Sequence, residues 1–137
     1  MVEQNDRNSR IINEFRTNAG KVSGYFEGKT LLLLHTFGAK TGRERVNPLA
    51  YVMDGDRYVV IASKGGAPEN PDWYYNLLAT PQVKVEIGTG EIYVKAVLTK
   101  EPERTHLYEK MVAMMPSFAE YRQKTNRLIP VFVLEPI

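Results

Sequence analysis

The chain has 137 residues, 43% of them hydrophobic and 25% charged, a formal net charge of +2 and no cysteine. That length fits one domain with one core, and the composition is that of a soluble globular chain. The missing cysteines exclude disulfides, thiolate metal sites, iron–sulfur clusters and thiol chemistry, so redox work has to come from a bound cofactor. A charge of +2 is too small for a general nucleic-acid binder, which moves attention to local clusters of cations.

Residues 6–18 place Ile11, Ile12 and Phe15 at helical spacing, with Arg7, Arg10, Glu14 and Arg16 between them and Asn5 or Asp6 as N-cap. This is a short amphipathic helix. Packing on its own domain is the ordinary use of such a helix, and its basic face is also compatible with weak contact to an anionic membrane surface. The start carries no basic segment leading into an apolar one, and the longest apolar run, Leu31 to Leu34, is far short of the roughly 20 residues of a membrane span. The expectation is a cytoplasmic chain, peripheral to the inner face of the membrane at most.

Residues 30–36 form a short apolar run suited to a strand buried on both faces, which residues 38–45 break. Residues 46–53 and 57–61 flank Asp54-Gly55-Asp56 and read as a β-hairpin. Pro71 or Asp72 opens a short helix over 73–79 that Pro81 cannot continue. Val83, Val85 and Ile87, then Ile92, Val94, Ala96 and Leu98, alternate with polar residues on either side of Gly88-Thr89-Gly90, giving two more strands. Helical patterns over 101–115 and 117–124 and a closing strand over 129–134 complete the chain. About six mostly antiparallel strands, joined by short turns and flanked by helices, predict an α+β fold with a sheet closed toward a barrel.

Familiar catalytic sets are poorly supplied. His35 and His106, the two histidines, lie on unrelated elements, so no metal site is expected. Ser63 lacks the Gly-x-Ser-x-Gly setting of a nucleophile. The segment Gly38-Ala39-Lys40-Thr41-Gly42-Arg43-Glu44-Arg45 is the most basic of the chain, but its Lys-Thr precedes the second glycine and strand residues follow, so it is not a P-loop. A solvated basic turn and an anion site remain the alternatives there. Ala62-Ser63-Lys64-Gly65-Gly66 ends a strand with a hydroxyl, a cation and two glycines, the makings of an anion-binding nest of backbone N–H groups. In Asn70-Pro71-Asp72-Trp73-Tyr74-Tyr75-Asn76-Leu77, Trp73 and Asn76 share one helix face, where core packing competes with a cofactor wall as the explanation of Trp73.

Taken together, Lys40-Thr41-Gly42, Arg45-Val46-Asn47-Pro48-Leu49, Ala62-Ser63-Lys64-Gly65-Gly66, Asn70-Pro71 with Trp73-Tyr74 and Asn76-Leu77, Pro116-Ser117 and Ile129-Pro130 resemble the deazaflavin-dependent nitroreductase family of actinobacteria, over residues 31–136. The resemblance implies a split β-barrel like that of FMN-binding proteins, formed by residues 29–137, with residues 1–28 as N-terminal helix and linker. It implies an oxidoreductase transferring hydride from reduced coenzyme F-420 to a small electron-poor acceptor such as an enone, quinone or nitro compound. Lys40, Thr41 and Arg45 then bind phosphate and oligoglutamate tail. Val46, Asn47, Pro48, Leu49, Ile61, Ala62, Ser63, Lys64 and Gly65 line the ring and its side chain, and Trp73, Tyr74, Asn76 and Phe118 complete the pocket. Ser63 and Tyr121 are the candidate catalytic donors. Nitroimidazole-reducing members carry a tyrosine cluster near the Pro-Ser step, where this chain has Met115, Phe118 and Tyr121, which favours enones or quinones. An FMN enzyme and a non-catalytic coenzyme carrier are the rival readings; no nucleic acid is expected, and a homodimer is left open.

Overall fold

Alternation along three strands buries both of their faces, and this sets the architecture of the chain. The computed structural model describes residues 2–137, with side chains from Asn8 onward except that of Tyr25. Its elements are α1 (Val2–Thr17), β1 (Leu31–Phe37), β2 (Glu44–Ala50), β3 (Val52–Asp54), β4 (Arg57–Ile61), α2 (Asp72–Ala79), β5 (Gln82–Ile87), β6 (Gly90–Leu98), α3 (Glu103–Met114), α4 (Ser117–Gln123) and β7 (Val131–Pro136). Short 3-10 turns occupy Gly24–Phe26 and Lys64–Gly66. The fold is α+β.

The sheet has the order β2-β1-β5-β6-β7-β4-β3, antiparallel throughout. Its two edges, β2 and β3, are separated in the chain by Tyr51 alone, so the sheet has to curl until its edges meet. The single strand expected over 46–53 is therefore corrected to two, and the six expected strands become seven. Tyr51 is the corner: its N–H still donates to the Thr30 carbonyl (3.2 Å), its carbonyl accepts from the Thr30 hydroxyl, and its ring meets Tyr58 of β4 edge-on at 5.4 Å. The chain then leaves β1, and Val52 pairs with Val59.

In β1, Leu32 and Leu34 point into the inner core while Leu31 and Leu33 point out, under Phe15 of α1 and Val22. In β4 and β7, Val60, Phe132 and Leu134 point in, and Val59, Ile61, Val131 and Val133 point out under Leu107, Met111, Met115 and Phe118. Trp73 and Leu77 of α2 plug the inner core beside Val83, Val85, Val94 and Ala96. A two-residue period on a curled sheet thus yields three apolar layers. Each fully buried Leu or Val contributes about 1.5–3 kcal/mol, so these layers carry most of the stability.

Three of the element ends that differ from the sequence expectation stand out. The α1 backbone is helical from Val2, which puts Asn5 and Asp6 inside the helix; their side chains lie outside the described residues. The third helix starts at Glu103, and the Glu101 carboxylate ahead of it accepts the Thr105 N–H at 2.9 Å. The last strand starts at Val131 because Pro130 has no N–H to give a ladder; its carbonyl accepts from Ala62 instead.

Candidate functional site

Two adjoining cavities open where the sheet edges meet. The smaller, about 410 Å³, is walled by Pro48, Leu49 and Ala50 of β2, Ile61, the Ser63-Lys64-Gly65 turn, Trp73 of α2, and Phe118 and Tyr121 of α4. The larger, about 930 Å³, is bounded by Lys40, Thr41, Arg45, Val46, Tyr75 and Asn76. Asn8, Asn47 and Asp72 line both, so the two form one groove with an apolar, aromatic end and a basic end.

The wall of β2 is a free strand edge. Pro48 faces Leu33 of β1, and lacking an N–H it suits a pair that exchanges no hydrogen bonds. Asn47, Leu49 and Tyr51 then bond toward β1, while Val46, Pro48 and Ala50 turn their main-chain groups the other way, along the groove.

The turn after β4 is unusual backbone. Ser63 is right-handed helical, while Lys64 (φ 49°), Gly65 (φ 64°) and Gly66 (φ 86°) are all left-handed. A side chain at Gly66 would stand 2.8 Å from the Tyr121 carbonyl oxygen, so only glycine lets this turn lie against α4. Arg127 holds the turn from behind, through the carbonyls of Ala62, Ser63 and Ala67 and the Asn70 side chain. The Lys64 ammonium lies 3.4 Å from Glu69 and stays partly exposed. The Tyr108 hydroxyl donates to the Phe118 carbonyl (2.6 Å) and fixes α4; burial pushes that phenol up to about 12.

At the basic end the loop after β1 closes on itself, Gly38 donating to the Arg43 carbonyl (2.8 Å) and the Arg43 N–H to the Thr41 hydroxyl (3.2 Å). Asn76 ties it to the core: the side-chain oxygen accepts the Ala39 N–H at 2.9 Å and the amide nitrogen donates to Thr36 at 3.1 Å. Lys40, Arg43 and Arg45 remain exposed.

A line of hydrogen-bonded polar groups locks α1 over the groove. Arg16 donates twice to Glu86 (2.6 and 3.1 Å), Glu86 contacts His35 (2.6 Å), and His35 contacts Glu44 (3.1 Å). The Arg16 hydrogen bonds, helped by His35, hold the Glu86 carboxyl below its ordinary value of 4.5. A depressed carboxyl pKa gives stability that is complete above the ordinary value and is lost as pH falls through the depressed one, so acid releases this lock.

A bound deazaflavin needs flat apolar walls for its ring, donors for the ring edge and cations for its tail. Pro48, Leu49, Ile61, Trp73 and Phe118 are flat or apolar side chains of the smaller cavity, the Ser63-Lys64-Gly65 turn lines the same cavity, and Lys40, Arg45 and Lys64 are cations along the groove, so the residues present suit such a group. The profile of the F420H(2)-dependent quinone reductase family matches residues 8–136. The chain belongs to that family. A quinone reductase of the family from Mycobacterium tuberculosis is 42% identical over 106 residues, covering 75% of this chain and 71% of the relative. A solved F420-H2 dependent reductase is 41% identical and superposes with a TM-score of 0.71, covering 77% of this chain and 94% of that one. A structure described as a domain-swapped dimer is 36% identical, with a TM-score of 0.72 and 98% coverage of both chains. As a member of this family the chain is an oxidoreductase that uses coenzyme F-420.

Within this family member the fold brings together Lys40, Thr41, Arg45, Val46, Asn47, Pro48, Leu49, Ile61, Ser63, Lys64, Gly65, Trp73, Asn76, Phe118 and Tyr121 around the groove. Ala62 and Tyr74 lie elsewhere: Ala62 is wholly buried in the inner core, and Tyr74 packs on Phe132 at 5.8 Å and Tyr75 at 5.0 Å. Sequence reasoning missed Asn8, Ser9 and Ile12 of α1, which roof the groove, and Phe26, Asp72 and Tyr75. A polar Asn8-Ser9 step in front of the Ile11-Ile12 stripe was the available signal for the roof.

Proposed function

We propose that the groove holds reduced coenzyme F-420 with its tricyclic ring in the smaller cavity and its phosphate and oligoglutamate tail in the larger, and that the acceptor is a quinone seated against the exposed face of the ring. The carrying observation is the continuity of an aromatic cavity with a basic one through Asn8, Asn47 and Asp72. When bound, the reduced deazaflavin supplies a hydride from the carbon at ring position five. Trp73, Phe118, Leu49 and Ile61 exclude water from the ring. Lys40, Arg45 and Lys64 bind the anionic groups, with Thr41 beside them, and Asn76 fixes the loop that carries them. A quinone that receives a hydride gains negative charge on oxygen, and in this reading the Tyr121 phenol is the donor to that charge while the Ser63 hydroxyl serves the ring.

Met115 and Phe118, both buried, offer no hydroxyl to a nitro group, and this supports better turnover of quinones and enones than of bicyclic nitroimidazoles. Residues 29–137 form the binding domain in this reading, and residues 1–28 supply its roof. The swapped dimer of the relative supports a homodimer here, and the basic side of α1 is the surface for any weak membrane contact from the cytoplasmic side. Spectral titration with the coenzyme and with FMN, followed by quinone turnover, tests the assignment. The coenzyme should bind more tightly than FMN, and shortening its oligoglutamate should weaken binding, most at low salt. Equal affinity for FMN, with no dependence on tail length, overturns it.

A further inference from the structure

Arg127 lines neither cavity, and its half-buried guanidinium is engaged by the loop after β4. Nη2 donates to the carbonyls of Ala62 (3.2 Å) and Ser63 (2.8 Å), Nε to the carbonyl of Ala67 (2.9 Å), and Nη1 to the Asn70 side-chain oxygen (2.7 Å). In a trans peptide the N–H points opposite to the carbonyl that precedes it. Because the Ala62 and Ser63 carbonyls both face Arg127, the N–H groups of Ser63 and Lys64 both face the other way, where Ser63, Lys64 and Gly65 form the wall of the smaller cavity. Right-handed Ser63 followed by left-handed Lys64 is the backbone pattern that gathers consecutive N–H groups into one concavity. Among the described residues, neither of those N–H groups nor the Ser63 hydroxyl is taken up by an acceptor.

We propose that Arg127 is a positioning residue that aims the Ser63 and Lys64 N–H groups, together with the Ser63 hydroxyl, into the smaller cavity as a donor cluster for the electron-rich carbonyl edge of the bound ring; this rests on the reading that the ring lies there. Two of the three donors are main chain, so the cluster is insensitive to the Lys64 side chain. It depends instead on a residue that touches no ligand. Donors held rigidly in this way need no reorganisation when charge grows on the ring edge.

The test is spectral titration of native protein, Arg127→Ala, Arg127→Lys and Lys40→Ala with two probes: the full coenzyme and the tail-free 8-hydroxy-5-deazariboflavin. Arg127→Ala should weaken both probes by the same factor, about tenfold, a loss of about 1.4 kcal/mol. Lys40→Ala should weaken only the tailed one. Guanidinium ion in the buffer should recover binding to Arg127→Ala and do nothing for Lys40→Ala, a distinction that general loosening of the fold would not produce. Should Arg127→Ala fail to fold, Arg127→Lys carries the comparison, since it keeps the charge and loses the three-nitrogen fork. The inference is overturned if the folded variants bind the tail-free ring as the native protein does, if the loss is confined to the tailed coenzyme, or if guanidinium recovers nothing. A native protein that binds neither probe overturns the ring-site reading and this inference with it, whereas normal native binding with unaffected variants overturns this inference alone.

Discussion

The two ends of the groove share Asn8, Asn47 and Asp72, yet opposite means hold their walls. Behind the aromatic end, the turn at Ser63–Gly66 is fixed by the Arg127 guanidinium, by the close approach of Gly66 to α4, and by the Tyr108 hydroxyl that anchors α4. At the basic end, a loop closed largely on itself carries exposed cations and is tied to the core by Asn76. On the proposed reading, the contrast follows from what each end would recognise. A flat ring is read by shape and by donors that must be placed to a few tenths of an ångström. A flexible polyanion is read by charge, whose pull falls off over about 10 Å at 0.1 M salt, so loosely held side chains suffice.

The contrast can be broken most severely at Gly66. Its φ of 86° and the 2.8 Å approach to the Tyr121 carbonyl leave no room for a methyl group, so Gly66→Ala should lose about 3 kcal/mol of stability and separate the turn from α4. Chemical denaturation measures the loss; a change under about 1 kcal/mol would show the turn to be far softer than its tethers suggest. Asn76→Ala removes one buried and one part-buried hydrogen bond at the other end and should cost about 2 kcal/mol. The basic loop, freed from α2, should then lose affinity for the tail while the tail-free ring binds as before. A paired comparison at Lys64 sharpens the same contrast: Lys64→Ala keeps the left-handed strain and Lys64→Gly relieves it, so the glycine variant should be the more stable of the two by about 1 kcal/mol. Both should bind the coenzyme more weakly, having lost the same cation. The smallest effect is expected from Arg45→Ala, which should weaken the coenzyme severalfold at low salt and hardly at all near 0.5 M, because an exposed ion pair is screened there. A loss that persists at high salt would mean that Arg45 makes a directed contact like those of the aromatic end.

Local pattern made most of the strands legible. The run Leu31 to Leu34 reads as buried on both faces because it has no polar alternation, and it is. The corner at Tyr51 is invisible in the sequence: strand-forming residues run on unbroken from Leu49 to Met53, and what splits the strand is a change of partner from β1 to β4, which is set only when the sheet curls. The same limit applies to the site. Pro48, Lys64 and Trp73 stand inside short motifs whose residue types suit a phosphate and a ring. Arg127 stands in a loop with no periodicity, and its partners are main-chain carbonyls 60 to 65 residues away and the Asn70 side chain, which only the fold brings near. One clue was available. Two adjacent glycines after a strand mark a left-handed turn, and at Gly66 that turn lies against the α4 segment leading to Arg127.

The segment 44–54 supplies, as β2 and β3, both the first and the last stave of the curled sheet, so the free edge of β2 and the turn after β4 face one another across the smaller cavity. A molecule seated there touches both sides of the seam, which makes occupancy and folding a single linked equilibrium. At a hundredfold excess over its dissociation constant, such a ligand adds about 2.7 kcal/mol to the stability of the protein. That is a sizeable share of the total for a chain of this length. If the coenzyme is that ligand, as proposed, its scarcity acts twice, slowing turnover and leaving more chains open to proteolysis.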